Sequence, residues 1–265
     1  MPSVWDTIWQ VTHTIGVRKG GVAMGSLTII PTPVGNLKDI TLRALEELQQ
    51  ADLILAEDTR TSSVLLKHYD IRKPMESHHK FNEYKEADEM AQRIASGLRV
   101  ALISDAGTPL ISDPGSFLVK ACREEGVPVS CLPGATALIP ALVMSGLSTE
   151  RFAFEGFLPV KKGRQTKLAE LSHEPRTIIF YESPFRVQRT LRDLCIAFGS
   201  ERQAVTVREL SKIHEEVQSG TLNELADFYQ TTPPKGEFVL LVQGTDELKA
   251  SQKKEQKRKQ QEQEP

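Results

Sequence analysis

Residues 104–115 read SDAGTPLISDPG and follow directly on RVALI (99–103), an apolar run with the character of a buried strand. Two Asp, two Gly and two Pro are concentrated in this one stretch. Glycine lets a backbone turn left-handed or approach a ligand closely, and proline fixes the turn. Asp105 and Asp113 offer acceptors to ligand hydroxyls or amines, or to backbone N–H groups of the loop itself. Asp113 also stands where it would cap a helix starting near 115.

The flanking sequence alternates between two periods. LTIIP (27–31), DLILAE (52–57), RVALIS (99–104) and VPVSCL (127–132) read as strands. Between them, 40–51, 61–69, 83–97 and 116–126 read as helices, with Leu42, Leu45 and Leu48 on one face of the first. Gly97 and Gly126 stand where helices commonly stop. ATALIPALVMSG (135–146) is an apolar helix with an internal proline. Strands alternating with helices predict a mainly parallel sheet covered on both faces.

RFAFEGFLPVKKGRQ (151–165) then reads as a join between domains. After it come a helix at 165–172, a strand at 176–181, a helix at 184–198, strands at 203–209 and 215–220, a helix at 221–229 and a strand at 236–243. The expected organisation is therefore two α/β domains, 26–148 and 149–246. An extension (1–25) and a charged tail (247–265) flank them, both expected to lack ordered structure. Met24 opens MGSLTIIPTPVGNL and reads as the natural start, with residues 1–23 upstream of it.

Composition narrows the function classes. Of 265 residues, 39% are hydrophobic and 26% charged, with a formal net charge of −2. No global basic field announces a nucleic-acid partner, so any such contact must rest on a local patch. Cys122, Cys131 and Cys195 form no C-x-x-C pair and read as reduced thiols. No apolar run reaches the ~20 residues of a membrane span, and the first residues lack the basic start and apolar core of a secretory signal.

Ligands of parallel α/β sheets bind beyond the carboxyl ends of the strands. Three loops expected there are rich in Gly and Pro: PTPVGNL (31–37), SDAGTPLISDPG and PGAT (133–136). Together they predict a cleft for a small molecule with polar ends. G-x-G-x-x-G and G-x-x-x-x-G-K-[ST] are absent, so the loops do not suggest a dinucleotide or ATP. No metal-ligand spacing of the H-E-x-x-H kind appears.

PTPVGNLKDIT (31–41), AEDTR (56–60), SDAGTPLISDPG, LPGATA (132–137), FYESPFR (180–186) and KGEFVLLV (235–242) follow one another in order. Taken together, this series resembles the small-subunit ribosomal RNA methyltransferases that 2′-O-methylate a cytidine of 16S rRNA in the decoding centre. These belong to the tetrapyrrole-methylase-like, class III S-adenosylmethionine methyltransferases. The resemblance runs from about 27 to 244 and implies two α/β domains with the cofactor cleft between them, usually in a cytoplasmic homodimer. It departs in two places: the further C-terminal helical segment of many members is missing, and SHHKFN (77–82) stands for S-[YF]-H-E-H-N, with Phe81 for the second His.

By this resemblance S-adenosyl-L-methionine is held by Pro33 and Gly35, by Asp105, Ala106, Gly107, Thr108 and Pro109, by Ser112, Asp113 and Gly115, and by Gly134, Ala135 and Thr136. The second domain closes the adenine side near Tyr181 and Leu210. A ribose hydroxyl must lose its proton to attack, and a positioned base contributes about 10²–10⁴-fold. Glu57, Asp58, Glu182 and Glu209 are the candidates, with Glu57 and Glu182 preferred, and Arg60 is placed among the catalytic residues. The expected RNA surface is Arg60, His79, Lys80, Lys161, Lys162 and Arg164 on the small ribosomal subunit, with no DNA and no membrane as partner. Two rivals share the fold: a methylase of a small tetrapyrrole-like metabolite, and a catalytically silent cofactor-binding module on the ribosome.

Overall fold

The computed structural model describes residues 18–19, 22–79 and 83–249. The expected disorder of 1–17 and of 250–265, and the positions of Lys80 and Phe81, lie outside the described residues. Within the expected N-terminal extension, β1 (Arg18–Lys19) and β2 (Val22–Ala23) form a short antiparallel ladder.

The chain divides into two compact units. One holds the described residues through Thr32 with Ile40–Gly134; the other holds Pro33–Asp39 with the described residues from Ala135 on. The division expected at 148/149 therefore falls at 134/135. The reason is hydrophobic. Helix α5 (Leu138–Ser145) is numbered here after α1 (Leu42–Gln50), α2 (Thr59–His68), α3 (Glu83–Ala95) and α4 (Ser116–Glu124). It buries Leu138, Ala141 and Leu142 against Ile179, Val205 and Leu241 of the second unit.

The first unit is a five-stranded, wholly parallel sheet. Strands β3 (Ser26–Ile29), β4 (Leu53–Ala56), β5 (Met75–Ser77), β6 (Arg99–Ile103) and β7 (Val129–Cys131) lie in the order β5-β4-β6-β3-β7. Alternate residues serve opposite faces, as a pleated strand requires. Leu27, Leu55 and Leu102 pack with Met90, Ile94 and Leu118 of α3 and α4; Ile54, Ala101 and Ile103 pack with Leu48 and Leu66 of α1 and α2. Caps define two of the helix starts. Thr41 accepts from the Ala44 N–H at 3.1 Å, and Asp58 from the Arg60 N–H at 2.8 Å. Helix α4 starts from Gly115 as its N-cap residue, which has no side chain to accept a bond.

The second unit is a mixed sheet, β11 (Glu216–Thr221), β10 (Gln203–Arg208), β12 (Phe238–Val242), β9 (Thr177–Glu182) and β8 (Phe152–Phe157) in that order. Among its paired neighbours only β8 and β9 are parallel. Helices α6 (Arg164–Leu171), α7 (Val187–Phe198) and α8 (Leu222–Thr231) cover one face through Leu168, Leu191, Leu194 and Leu225, packed on Phe180 and Leu240. The stretch read as an interdomain join is thus half strand. FAFEGF pairs with β9 through a register shift between Phe154 and Gly156, and Gly156 had disguised its alternation.

Candidate functional site

All five strands of the first sheet point the same way, so the segments after β3, β4, β6 and β7 leave from one rim. Hydrogen bonds tie these segments together. Thr32 and Gly107 exchange backbone bonds at 2.8 and 2.9 Å, and Thr32 Oγ1 donates to the Ser104 carbonyl at 3.0 Å. Asp105 Oδ1 accepts from the Asp58 N–H at 3.2 Å, bracing the AEDTR loop against SDAGTP. Pro31 lies against Gly134, bringing in the loop after β7. Leu110 and Ser112 hold left-handed φ values of 72° without being glycines. Such strain costs of order 1–3 kcal/mol per residue and gathers at ligand-holding loops.

This rim collects Asp105, Ala106, Gly107, Thr108, Pro109, Ser112, Asp113, Gly115 and Gly134 from the expected cofactor set, and Glu57, Asp58 and Arg60 from the expected catalytic set. Asp105 is exposed as a residue, yet partial burial of its carboxyl raises its pKa above the ordinary 3.8, against the lowering effect of the Asp58 N–H. Asp58 goes the other way. Its side-chain bonds to Arg60, at 2.7 and 3.1 Å, hold it down to about 2. Asp58 is thus a helix cap and ion-pair partner that gives up its proton too readily to be a good base near neutrality. Arg60 remains 90% exposed at its side chain. Glu57 is half-buried at the end of β4, and His79 is half-buried.

Pro33, Gly35, Ala135, Thr136, Tyr181 and Leu210 belong to the second unit. There Lys212 bridges Glu209 and Glu237, with Nζ 2.9 Å from each carboxylate. Glu209 also accepts the Glu237 N–H at 2.9 Å. Burial alone would raise the Glu209 carboxyl, but these bonds outweigh it and hold the group low. Tyr181 is half-buried and meets Phe154 edge-on at 4.9 Å.

Two expectations are corrected. Glu182, preferred as a base, is 1% exposed at its side chain. Oε1 accepts from the Ser183 N–H at 2.8 Å and Arg186 Nε at 3.2 Å; Oε2 accepts from Thr190 Oγ1 at 2.7 Å and Arg186 Nη2 at 3.3 Å. Both oxygens are occupied by protein donors, so Glu182 builds the fold. Arg164, expected to face RNA, is 3% exposed and bound to Asp193 at 2.7 Å and Thr190 at 2.8 Å. Lys161 and Lys162 from the same run are exposed. Sequence reasoning missed Thr32 and Lys212. Thr32 had a signal, a polar residue set between two prolines at a strand end; Lys212 had none beyond its place in RELSK.

Among the described residues no group of three or more His, Cys, Asp or Glu is placed to hold a metal, and no helix is long and apolar enough to cross a membrane. The rim offers the partly buried Asp105 carboxyl, left-handed backbone at Leu110 and Ser112, and little side-chain bulk.

A model of the tetrapyrrole (corrin/porphyrin) methylases matches residues 26–226. The chain belongs to this family. Its relatives within the family include a ribosomal RNA small subunit methyltransferase I of Haemophilus influenzae, 50% identical over 223 residues, or 83% of this chain and 79% of that one. The protein of the same name from Escherichia coli O157:H7 is 47% identical over 225 residues, covering 84% and 79%. The methylase fold recurs in a diphthine synthase crystal structure at a TM-score of 0.67 and 16% identity, covering 82% of this chain and 89% of that one. It recurs also in a Thermus thermophilus uroporphyrin-III C-methyl transferase complexed with S-adenyl homocysteine, at a TM-score of 0.58 and 19% identity, covering 82% and 97%.

Proposed function

We propose that this methylase transfers a methyl group from S-adenosyl-L-methionine to the 2′-hydroxyl of a cytidine in the 16S rRNA of the small ribosomal subunit. The observation that carries the reading is the 50% identity over 223 residues to a ribosomal RNA small subunit methyltransferase I. The braced rim of the first sheet supports it as a cofactor cradle. S-adenosylmethionine supplies an electrophilic methyl on a sulfonium; the protein supplies position and charge.

In this reading Asp105 places its carboxylate on the cationic donor, and the backbone of 105–109 and 112–115 holds the donor's polar ends. In the second unit the 33–35 loop, Ala135, Thr136, Tyr181 and Leu210 share in binding. The ribose hydroxyl loses its proton as the carbon–oxygen bond forms and the methyl–sulfur bond breaks, with neutral S-adenosylhomocysteine as the leaving group. Among the four candidate bases, Glu182 is sealed, Asp58 is held near pKa 2 by Arg60, and Glu209 is bound to Lys212. We assign proton removal to Glu57 for its place, half-buried directly after β4 on the rim of the first sheet. Arg60, His79, Lys80, Lys161 and Lys162 meet RNA phosphates. A cytoplasmic homodimer completes the reading, with sedimentation velocity as the test of the dimer.

The deciding experiment incubates the protein with methyl-labelled cofactor and either undermethylated small subunits or a mixture of uroporphyrinoid acceptors. Label in a 2′-O-methylcytidine of 16S rRNA is expected. Label in the tetrapyrrole, or in neither, overturns the reading in favour of a metabolite methylase or a silent module. Glu57→Gln is expected to lower the single-turnover rate about 10²–10⁴-fold at saturating substrates, and a wild-type rate removes it as the base.

A further inference from the structure

Two loops of the second unit are locked to each other by ions shielded from water. The core of the lock is the chain Glu182–Thr190–Arg164–Asp193, with links of 2.7, 2.8 and 2.7 Å. From it, Arg186 Nη2 donates to the Leu158 carbonyl at 2.7 Å, and Arg164 Nη1 to the Pro159 carbonyl at 3.1 Å. The 183–186 turn is braced further by the Phe185 N–H donating to Ser183 Oγ at 3.3 Å. Burying charges is costly and contributes little to stability by itself. The geometric result is that the 157–164 loop and the 183–186 turn are held together as one surface.

That surface displays residues a solitary domain has little use for. Phe185, next to the locking Arg186, is 96% exposed. Phe157 and Val160 are exposed as well, and Phe157 meets Tyr181 edge-on at 5.9 Å, which fixes its ring. Lys161 and Lys162 are exposed on the same loop, and neither takes part in an ion pair among the described residues. Exposed aromatic rings beside free ammonium groups match single-stranded nucleic acid: a ring stacks on any base, and the cations follow the phosphates. A protein partner fits less well, because lysine is depleted where proteins meet.

We propose that Phe185 is a stacking residue for an unpaired base of the substrate RNA, with Lys161 and Lys162 on the adjoining phosphates. The inference rests on the rRNA-methylase reading and adds a contact by ring stacking to it. It also gives the buried lock a purpose, since a stacking ring works only if its turn is held still.

The test measures binding of undermethylated small subunits against salt concentration. Phe185→Ala is expected to weaken binding about tenfold, with the slope of log K against log salt unchanged and cofactor affinity unchanged. Phe185→Trp is expected to restore binding. The double variant Lys161→Gln with Lys162→Gln is expected to make the slope shallower by about 1.4, some 0.7 for each phosphate lost. Wild-type binding by Phe185→Ala overturns the proposal while leaving the methylase reading intact. A Phe185→Ala variant that changes sedimentation overturns it too, and assigns the surface to a second copy of the chain. Wild-type protein that methylates no subunit brings down the underlying reading and this inference with it.

Discussion

The side chain of Lys212 occupies the space beside Gly35 that any larger residue would need. A Cβ at position 35 would stand 2.5 Å from Lys212 Cγ and 2.8 Å from the Leu210 carbonyl oxygen. The lysine could shift, but the carbonyl belongs to a backbone bent through left-handed residues on either side, Glu209 at φ 52° and Ser211 at φ 62°. The PVGNL loop and the RELSK loop therefore press together with no slack. Gly35→Ala is expected to cost about 1–3 kcal/mol through overpacking. It should also weaken S-adenosylmethionine binding in calorimetric titration. A variant with wild-type melting and wild-type affinity would show that the contact is incidental.

Lys212 also gives a pH signature. Burial would lower its pKa, but its bonds to Glu237 and Glu209 outweigh this and raise it above 10.5, while Glu209 is held below 4.5. A raised lysine stabilises the fold below its unfolded pKa and loses that contribution as pH rises through the folded value. A lowered carboxylate stabilises above its unfolded pKa and loses it as pH falls through the folded value. The pair is thus in full force between about 4.5 and 10.5. Lys212→Met should lower the melting temperature inside that window, by an amount equivalent to about 1 kcal/mol after allowing for solvent screening. The deficit should shrink beyond either end. A deficit constant with pH would mean that packing by the lysine stem, not charge, is what was lost.

Gly236 tests the same loop from its other side. Its φ is 79°, and a Cβ there would fall 2.2 Å from the Glu209 carboxylate. Gly236→Ala should destabilise by more than 1 kcal/mol, adding backbone strain to the collision. Combining it with Glu209→Ala removes the collision but not the strain, so the double variant should lose less than the sum of the singles. Strict additivity in denaturant unfolding would deny the contact.

Glu182 should behave as part of the scaffold. Glu182→Ala leaves Arg186 and Thr190 without their buried acceptor, and breaking such a pair costs about 3–5 kcal/mol. The loss should appear as a fall in melting temperature and in denaturant midpoint. A variant that melts as wild type but turns over slowly would return Glu182 to the catalytic list.

Asp105 should report on cofactor binding through pH. Its pKa is raised by partial burial, so it protonates at a higher pH than an ordinary aspartate at 3.8. As pH falls through that raised value Asp105 loses its negative charge, and affinity for the cationic donor should fall. Asp105→Asn keeps an oxygen for the Asp58 N–H and lacks the charge. It should bind more weakly near neutrality and show no acid limb. An acid limb that persists in the variant would assign it to another group.

Much of the fold was legible because periodicity survives in short-range sequence. RVALI and DLILAE read as buried strands and are buried strands, since a strand covered on both faces needs apolar residues throughout. Met75–Ser77 was missed because three residues carry no period, and its pairing with Leu53–Ala56 supplies what its own sequence lacks. The Phe152–Phe157 strand was hidden by the glycine at its bulge. The glycine- and proline-rich loops were legible as turns, because turns impose their chemistry locally. The fates of Glu182 and Arg164 were not: Arg164 is bound to Thr190 and Asp193, 26 and 29 positions on, and Glu182, whose own partners lie within eight residues, is sealed only by the packing of the second unit.

The sequence by itself determined that this chain forms two α/β units of the methylase kind, where the rim loops lie, and which relatives share its motifs. Local backbone preference and hydrophobic period act over a few residues and can be read in order. Only the tertiary structure decided that α5 belongs to the second unit, that Glu182 and Arg164 are locked inside it, and that Lys212 fills the space beside Gly35. Those outcomes depend on desolvation and contact between distant residues, and a linear reading does not contain the distances that govern them.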